Sequence, residues 1–455
     1  MLPRLRTLVT FLLVGALTLA ACSDSTDDEA TAAEDEAPSG RAEDDETDDG
    51  SSVDERDRDD ADADADTDGE GEGAEEALGP DVELAGVVVS AVDGVALPDT
   101  AVSTGEDTVL TDGDGRFALT APAGSILTVS RPVWGDVEIE VPTDDAAIEV
   151  EMEPVVVRGV RVAKDVAADP ERFDDLLTLI EGTTVNTLVF DTKDETNFVL
   201  YDTEVEVAND IGAVDAVYDP AELLALTRER DLYAVTRIVT FEDRLWADGV
   251  PEAKLAGSWV DASDEANWAY PLALAAEACA LGFDEIQFDY VRFPAGRTAE
   301  VAASRLPGTS EERAAVIQRF LTEARARLRP EGCGVSAAIF GIVMSSETDE
   351  GIGQTPETVS PVVDAVSPML YPSHYGSGWL GFADPNDHPG PVIAHALDTG
   401  EPKLDPAVLV RPWIQGFEYN GQQVQAQIDE SEARGAGWII WNYPGNYRRD
   451  WLPSS

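Results

Sequence analysis

A (β/α)8 TIM barrel, preceded by a small β-sandwich and a disordered acidic linker, is the fold class that this 455-residue α/β sequence predicts. Three observations carry the prediction. From residue 155 onward, eight short β-rich runs alternate with helical patterns, and eight βα units in about 300 residues is the arithmetic of such a barrel. Between residues 81 and 154, short alternating or β-branched runs are separated by turn residues, the pattern of a sandwich. Between residues 22 and 80 there is almost nothing apolar to bury.

Residues 1–21 read as an export signal. Arg4 and Arg6 precede an apolar stretch from Leu8 to Ala21, shorter than the ~20 residues a spanning helix needs but right for a secretory signal. It closes on Leu19-Ala20-Ala21-Cys22, which resembles the lipobox of bacterial lipoproteins. That resemblance implies that Cys22 becomes the first mature residue and carries a lipid, which places the protein outside the cell and anchored to the membrane.

The formal net charge is −61, from 91 acidic and 30 basic residues, and it is unevenly spread. Ser23 to Ala77 holds 26 acidic residues against Arg41, Arg56 and Arg58. Such a segment repels itself and stays extended as a spacer. Cation binding by the Asp-rich run from Asp57 to Asp66 is the alternative use. The rest of the chain still carries about 40 net negative charges and keeps only four lysines, Lys164, Lys193, Lys254 and Lys403. Salty surroundings would suit that surface; a codon bias toward Arg, Ala, Asp and Gly would produce it equally well. The charge excludes nucleic acid as a partner, because phosphate binding rests on Lys and Arg. With three His and three Cys, neither a histidine-rich zinc site nor a disulfide-stapled fold is expected.

In the predicted sandwich, Asp112-Gly113-Asp114-Gly115 reads as a hairpin turn, since a calcium loop needs further spaced oxygen ligands. The segment containing "VVVSAVDGVALPDTAVST" and "TDGDGRFAL" resembles the carboxypeptidase regulatory-like β-sandwich, which implies a spacer or contact module without chemistry of its own.

Barrel strands are predicted at Val157–Ala163, Thr187–Asp191, Leu232–Val239, Glu285–Tyr290, Val335–Phe340, Ala365–Leu370, Val408–Ile414 and Gly437–Trp441. Helices are predicted at Pro170–Ile180, Pro220–Arg230, Trp268–Leu281, Ser310–Leu328 and Gln422–Arg434, with less regular ones near Pro356–Val363 and Gly390–Leu397. A doubly wound open sheet is the alternative, but no Gly-rich phosphate loop opens a helix. Chemistry in a barrel sits where strands end. Those ends bring Asp191, Lys193 and Asp194; Arg237, followed by Glu242 and Asp243; Gln287, Asp289 and Arg292; Asp349 and Glu350; Tyr371, His374 and Tyr375; Trp413; and Trp441 with Asn442.

Carboxylates, arginines and aromatics on one rim suit sugar chemistry. Glycoside hydrolysis needs two carboxyl groups flanking the scissile bond, and aromatic faces stack on pyranose rings. Trp246, Trp259, Trp379, Trp413 and Trp441 follow barrel strands, as substrate platforms or as barrel caps. Asp289 is the strongest single candidate, because a carboxylate pointing inward after Ile286-Gln287-Phe288 would be costly without a role. A structural Asp–Arg pair with Arg292 is the plainer alternative.

"LGFDEIQFDYVRFP" (Leu281–Pro294), "SPMLYPSHYG" (Ser367–Gly376), "GIGQ" (Gly351–Gln354) and "RIVTFED" (Arg237–Asp243) together resemble a family of bacterial TIM barrels of the glycoside-hydrolase type, known as a domain of unknown function. The resemblance spans about Val157 to Trp451. It implies that Asp289 is the nucleophile or base, that Asp349 or Glu350 is the general acid, and that Asp191 and Asp194 stabilise the transition state. Lys193, Arg237, Gln287, Arg292, Tyr371, His374, Tyr375, Trp413, Trp441 and Asn442 are then expected around the substrate.

Other chemistries fit less well. There is no Gly-x-Ser-x-Gly elbow. His374, His388 and His395 are spaced too widely for a ready zinc triad. Cys279 and Cys333, near the amino ends of the fourth and fifth strands, are core thiols or a bottom-face disulfide. The expectation is a lipid-anchored glycoside hydrolase on a polysaccharide or oligosaccharide, with no cofactor and no metal. A non-catalytic carbohydrate-binding barrel is the rival.

Overall fold

The computed structural model describes residues 78–144 and 147–455. The export signal, Cys22 and the acidic linker lie outside the described residues.

Seven strands between Asp81 and Met152 form two sheets. In one, Asp81–Ser90 runs antiparallel to Arg116–Pro122 and parallel to Ala147–Met152. In the other, Thr108–Leu110, Ala101–Ser103, Ile126–Ser130 and Val137–Glu140 lie side by side, all antiparallel. Alternation decides the core: Val82, Leu84 and Val88 face inward and pack with Phe117, Leu127 and Val129 from both sheets. Asp112–Gly115 is a turn, but not a hairpin, because the strands it joins belong to different sheets. The Asp112 carboxylate accepts backbone N–H groups of Asp114 and Arg116, each at 2.9 Å, rather than standing free for a cation. Gly115 has φ +73°, and a Cβ there would meet the Val88 carbonyl at 2.6 Å, so only glycine fits.

Eight parallel strands close the barrel: β1 (Arg158–Arg161), β2 (Thr187–Lys193), β3 (Tyr233–Val239), β4 (Glu285–Asp289), β5 (Gly334–Phe340), β6 (Ala365–Leu370), β7 (Trp413–Gln415) and β8 (Trp438–Trp441). Each pairs with the next, and β8 pairs back onto β1. The seventh is shorter than predicted. Leu409–Val410 pairs with β6, then Pro412, which has no N–H to donate, interrupts the ladder before β7.

The main helices are α1 (Pro170–Ile180), α2 (Pro220–Arg228), α3 (Ala269–Leu281), α4 (Ser310–Leu328), α5 (Pro389–Gly400) and α6 (Gly421–Glu432). Their starts are written in side chains. Asp169 accepts from the N–H groups of Glu171 and Arg172, and Thr309–Glu312 and Asn420–Gln423 form capping boxes. The helix expected at Pro356–Val363 is a single turn, Pro356–Val359, continued as a 3-10 turn from Ser360 to Val362.

The period of two along β4 organises the barrel interior. Ile286 and Phe288 point outward into the helix-facing core, while Glu285, Gln287 and Asp289 point inward in three layers. In the lowest layer Glu285 pairs with Arg411 at 2.8 Å and accepts from Tyr233 and Ser336. In the middle, Gln287 accepts the Trp413 indole N–H at 2.8 Å and donates to Ser336 and Ser367. Asp289 opens the upper layer. The sandwich sits under the amino end, where Tyr233, Ala407 and Leu409 of the barrel join its apolar core.

Cys279, at the end of α3, and Cys333, just before β5, form a disulfide across a sequence separation of 54. Closing a loop of that size removes entropy from the unfolded chain worth about 4 kcal/mol. Reduction, or a Cys279→Ser/Cys333→Ser chain, is therefore expected to lower the thermal midpoint by several degrees in calorimetry. An unchanged midpoint would mean that strain or residual structure cancels the loop term.

Candidate active site

At the carboxyl end of the barrel one guanidinium gathers three acids. Arg237, on β3, is 1% exposed. Its Nε donates to Asp289 Oδ2 at 2.9 Å, Nη1 to Asp191 Oδ1 at 2.8 Å, and Nη2 to Glu195 Oε1 at 2.5 Å. Arg161, at the end of β1, holds the other side of Asp191 at 2.5 Å and reaches Glu195 at 3.5 Å. Both guanidiniums lie over the Trp441 ring, at 4.4 and 5.0 Å from its centroid. Burial pushes the Asp191 carboxyl upward against the two arginines. Burial pushes Glu195 the same way, but Arg237 and Arg161 pull it below the usual carboxylate range. The same acids hold Arg237 well above its ordinary value despite its burial.

Asp289 ends β4, and the residue after it is strained. Tyr290 has φ +48°, a region that costs an aromatic residue about 1–3 kcal/mol. The turn is held because the Thr240 N–H donates to the Asp289 carbonyl at 2.8 Å and the Phe241 N–H to the Tyr290 carbonyl at 3.2 Å. It also brings the Tyr290 N–H to Asp289 Oδ1 at 2.6 Å. Both carboxylate oxygens of Asp289 are thus fixed in direction.

Glu242 lies across the rim, after β3. Its side chain is 35% exposed, accepts from the Ser258 hydroxyl at 3.2 Å, and stands 4.0 Å from Arg292. Burial raises its carboxyl, Arg292 and Ser258 oppose this, and the charge of Asp289 raises it further. Arg292 itself is enclosed by the rings of Phe340, Trp259 and Tyr290 at 4.3, 4.6 and 5.1 Å. On the far side, Tyr371 packs edge-on against His374 and Phe417. Burial and then the charge of Asp289 drive its phenol well above the ordinary value, so that it stays a neutral hydroxyl beside the carboxylate.

The expected site residues separate into two groups. Asp191, Arg237, Asp289, Arg292, Tyr371, His374 and Trp441 are brought to the mouth or its rim. Trp441 holds guanidiniums there, and the asparagine beside it, Asn442, caps the loop by donating to the Asn446 carbonyl. Gln287 and Trp413 lie in the layer beneath, filling the barrel. Tyr375 is packed against Trp379 and Gly341.

Lys193 points out of the barrel. A bulge between β2 and β3 pairs Asp191 with Arg237 but Lys193 with Ile238, which turns Lys193 toward Asp243 at 2.7 Å, both fully buried, and over the Tyr270 ring. Asp194 caps its own turn through Thr196. Asp349 is not placed as an acid. Burial would raise it, but Arg313 at 2.7 and 2.9 Å, Ser310 and the N–H groups of Gly353 and Gly351 hold it below the usual range. Glu350 accepts from Ser346 and Thr348 within the same loop.

Arg161, Glu195 and Glu242 complete the mouth; of the three, only Glu242 stands among the predicted strand ends, without an assigned role there. For Arg161 a signal existed, since Val157, Gly159 and Arg161 share the inward face of the first strand. Glu195 follows the bulge, where no periodicity applies. Trp246 and Trp259 are buried supports; His388 stacks on Phe382, and His395 packs edge-on against Trp379. Among the described residues no group of three or more His, Cys, Asp or Glu side chains is arranged to hold a metal ion.

The family model described as "Putative glycosyl hydrolase domain" matches residues 159–447. Among solved structures, a hypothetical protein from Ruminiclostridium thermocellum is 27% identical, with 39% of this chain and 96% of that one covered and a TM-score of 0.34. The PgaB (BpsB) glycoside hydrolase domain from Bordetella bronchiseptica is 12% identical over 66% of this chain and 98% of its own, with a TM-score of 0.45. TtGalA, an alpha-galactosidase from Thermus thermophilus, is 14% identical over 78% of each chain, with a TM-score of 0.43. No curated protein sequence matches the chain.

The placement of Asp349 has a consequence in stability. Its folded-state carboxyl is depressed, so its contribution is present above the unfolded value and is lost as pH falls through the folded one. Asp349→Asn should therefore be less stable than the parent at neutral pH, and the two should converge in acid, as read by denaturant unfolding at each pH. Its pH–rate profile should keep the parent's shape; loss of the alkaline limb would return Asp349 to the chemistry.

Proposed function

The chain belongs to this glycosyl hydrolase domain family, and on that premise we propose that it cleaves a glycosidic bond between Asp289 and Glu242. The observation that carries the assignment is electrostatic. Of the carboxyl groups at the mouth, Asp191 and Glu195 are each held by two arginines, Asp289 is fixed in direction, and Glu242 alone is raised while partly open to solvent. Glu242 donates its proton to the departing glycosidic oxygen. Asp289 presents negative charge to the anomeric carbon, as nucleophile or as base to an attacking water. Arg237 and Arg161 fix Asp191 and Glu195 in place beneath the developing oxocarbenium ion and hold Glu195 below the usual carboxylate range, and Tyr371 offers a neutral hydroxyl.

A non-catalytic glycan-binding barrel is favoured by one observation, the engagement of Asp289 with Arg237 at 2.9 Å. Turnover separates the two readings. Asp289→Asn should leave folding and glycan binding intact while lowering turnover at least about a thousandfold, assayed on a glycan panel at several salt concentrations. Glu242→Gln should lose the alkaline limb of the pH–rate profile, which the raised carboxyl places above the ordinary carboxylate range. It should also spare aryl glycosides with good leaving groups, which need no proton. Full activity in either variant sinks its assigned role, and the anomer first released, read by NMR, decides whether Asp289 is nucleophile or base.

We place the enzyme at the cell surface, with the lipid on Cys22 and the acidic segment as tether, on the strength of the signal-like start and the charge run. Cys22→Ser should move the protein from the detergent phase to the aqueous phase in Triton X-114 partitioning. Retention in the detergent phase would argue against the anchor.

A further inference from the structure

A second cleft, of about 1030 Å³, lies at the opposite end of the barrel, between its amino face and the sandwich. Tyr233, Asp284 and Gly332, which begin or precede β3, β4 and β5, line one wall, and Arg131, Trp134 and Asp136 of the sandwich line the other. Two arginines of α4 and the turn after it, Arg325 and Arg329, complete it.

Its nitrogen donors outnumber the acceptors they reach. Arg131 is 3% exposed and Trp134 7%. Arg131 Nε, Trp134 Nε1, Arg325 Nε and Arg329 Nη2 are all buried and have no hydrogen-bond acceptor among the described residues. The nearby acids stand at ion-pair rather than hydrogen-bond distance from the guanidiniums; Asp364 is fixed by the Val335 N–H at 3.0 Å, and its Oδ1 is itself buried without a hydrogen-bond donor. Asp364 Oδ1 stands 3.5 Å from Arg325 and 3.6 Å from Arg329, and Asp99 stands 3.8 Å from each. A buried donor without an acceptor is costly, and native proteins rarely gather four on the wall of one cleft. Burial, then the like charge of Arg329, pushes Arg131 down to about 10, the direction of an under-neutralised cation. Asp136 and Asp284 also line the cleft, and burial raises both.

We propose that this cleft binds an oxyanion, a sulfate, phosphate or carboxylate group, borne on an acidic glycan chain. The acceptor-rich group matches the four N–H donors left without acceptors in the cleft's lining residues, and arginine forks suit its geometry. The volume is that of an oligosaccharide-sized ligand rather than a bare ion. With the catalytic mouth at the other end, the cleft would hold polymer independently of turnover.

The test uses the full-length chain in calorimetric titration at low salt with three probes: sodium sulfate, a sulfated oligosaccharide and a polygalacturonate oligomer. Binding of at least one charged oligosaccharide, at least about tenfold tighter than free sulfate and weakened by added NaCl, is the expected result. Arg131→Met and Arg329→Gln should each weaken it about tenfold or more. Should Arg131→Met fail to fold, the thermal midpoint serves in its place: an oligosaccharide-dependent rise in the parent that is absent in Arg329→Gln supports the site. No binding, or equal binding by Arg329→Gln, overturns the site. Binding of free sulfate as tight as the oligosaccharides overturns the glycan as its source.

Discussion

Arg237 is the cation on which the mouth of the barrel depends. Three carboxylates from two strands and a loop converge on its guanidinium, and without it each would be a buried negative charge beside two others. Removing one partner of a buried ion pair typically costs 3–5 kcal/mol, roughly the scale of a small domain's whole stability. A planar fork with fixed donor directions can bind three acids at once while keeping each pointed, which a lysine ammonium cannot do. Arg161 repeats the device on Asp191, and Trp441 supplies the ring on which both guanidiniums lie. Charge is thereby concentrated at the mouth without being left unbalanced.

The molecule uses its two ends differently. Above, Arg237 holds three carboxylates at 2.5–2.9 Å and Arg161 takes Asp191 at 2.5 Å, with Glu242 as the raised, accessible acid. Below, guanidiniums and carboxylates stand 3.5–3.8 Å apart around a wide cleft. Between them lies a middle layer of hydrogen-bonded side chains, Gln287 with Trp413, Ser336 and Ser367, which separates the two environments. The net charge of −61 says little about either end; what matters is where a few of the 30 basic residues are buried.

Much of this is legible in the sequence, for reasons particular residues show. The inward period of Glu285, Gln287 and Asp289 is strict, so both the strand and the position of Asp289 follow from alternation. Thr309–Glu312 states the start of α4 to the residue. What escapes the sequence depends on local geometry that alternation does not encode. The bulge after Asp191 turns Lys193 outward and carries Glu195 in. The acids before "GIGQ" stand in the expected loop, but Arg313, four residues into a helix far along the chain, closes on Asp349. Pro412 breaks a run that hydrophobicity reads as continuous. The sandwich turn at Asp112 is a turn as expected but joins different strands, because which sheet a strand enters is decided by tertiary packing.

The pairing of Glu285 with Arg411 at the floor of the barrel bears on how this fold can vary. Both side chains are about fully buried, and Glu285 also satisfies Ser336 and Tyr233. Losing either partner alone strands a charge in the interior, whereas exchanging both for apolar residues of similar volume is nearly neutral. Drift at these two positions must therefore occur together, through an intermediate of low fitness. The floor should consequently divide related sequences into two discrete types, ionic and apolar, with few between them.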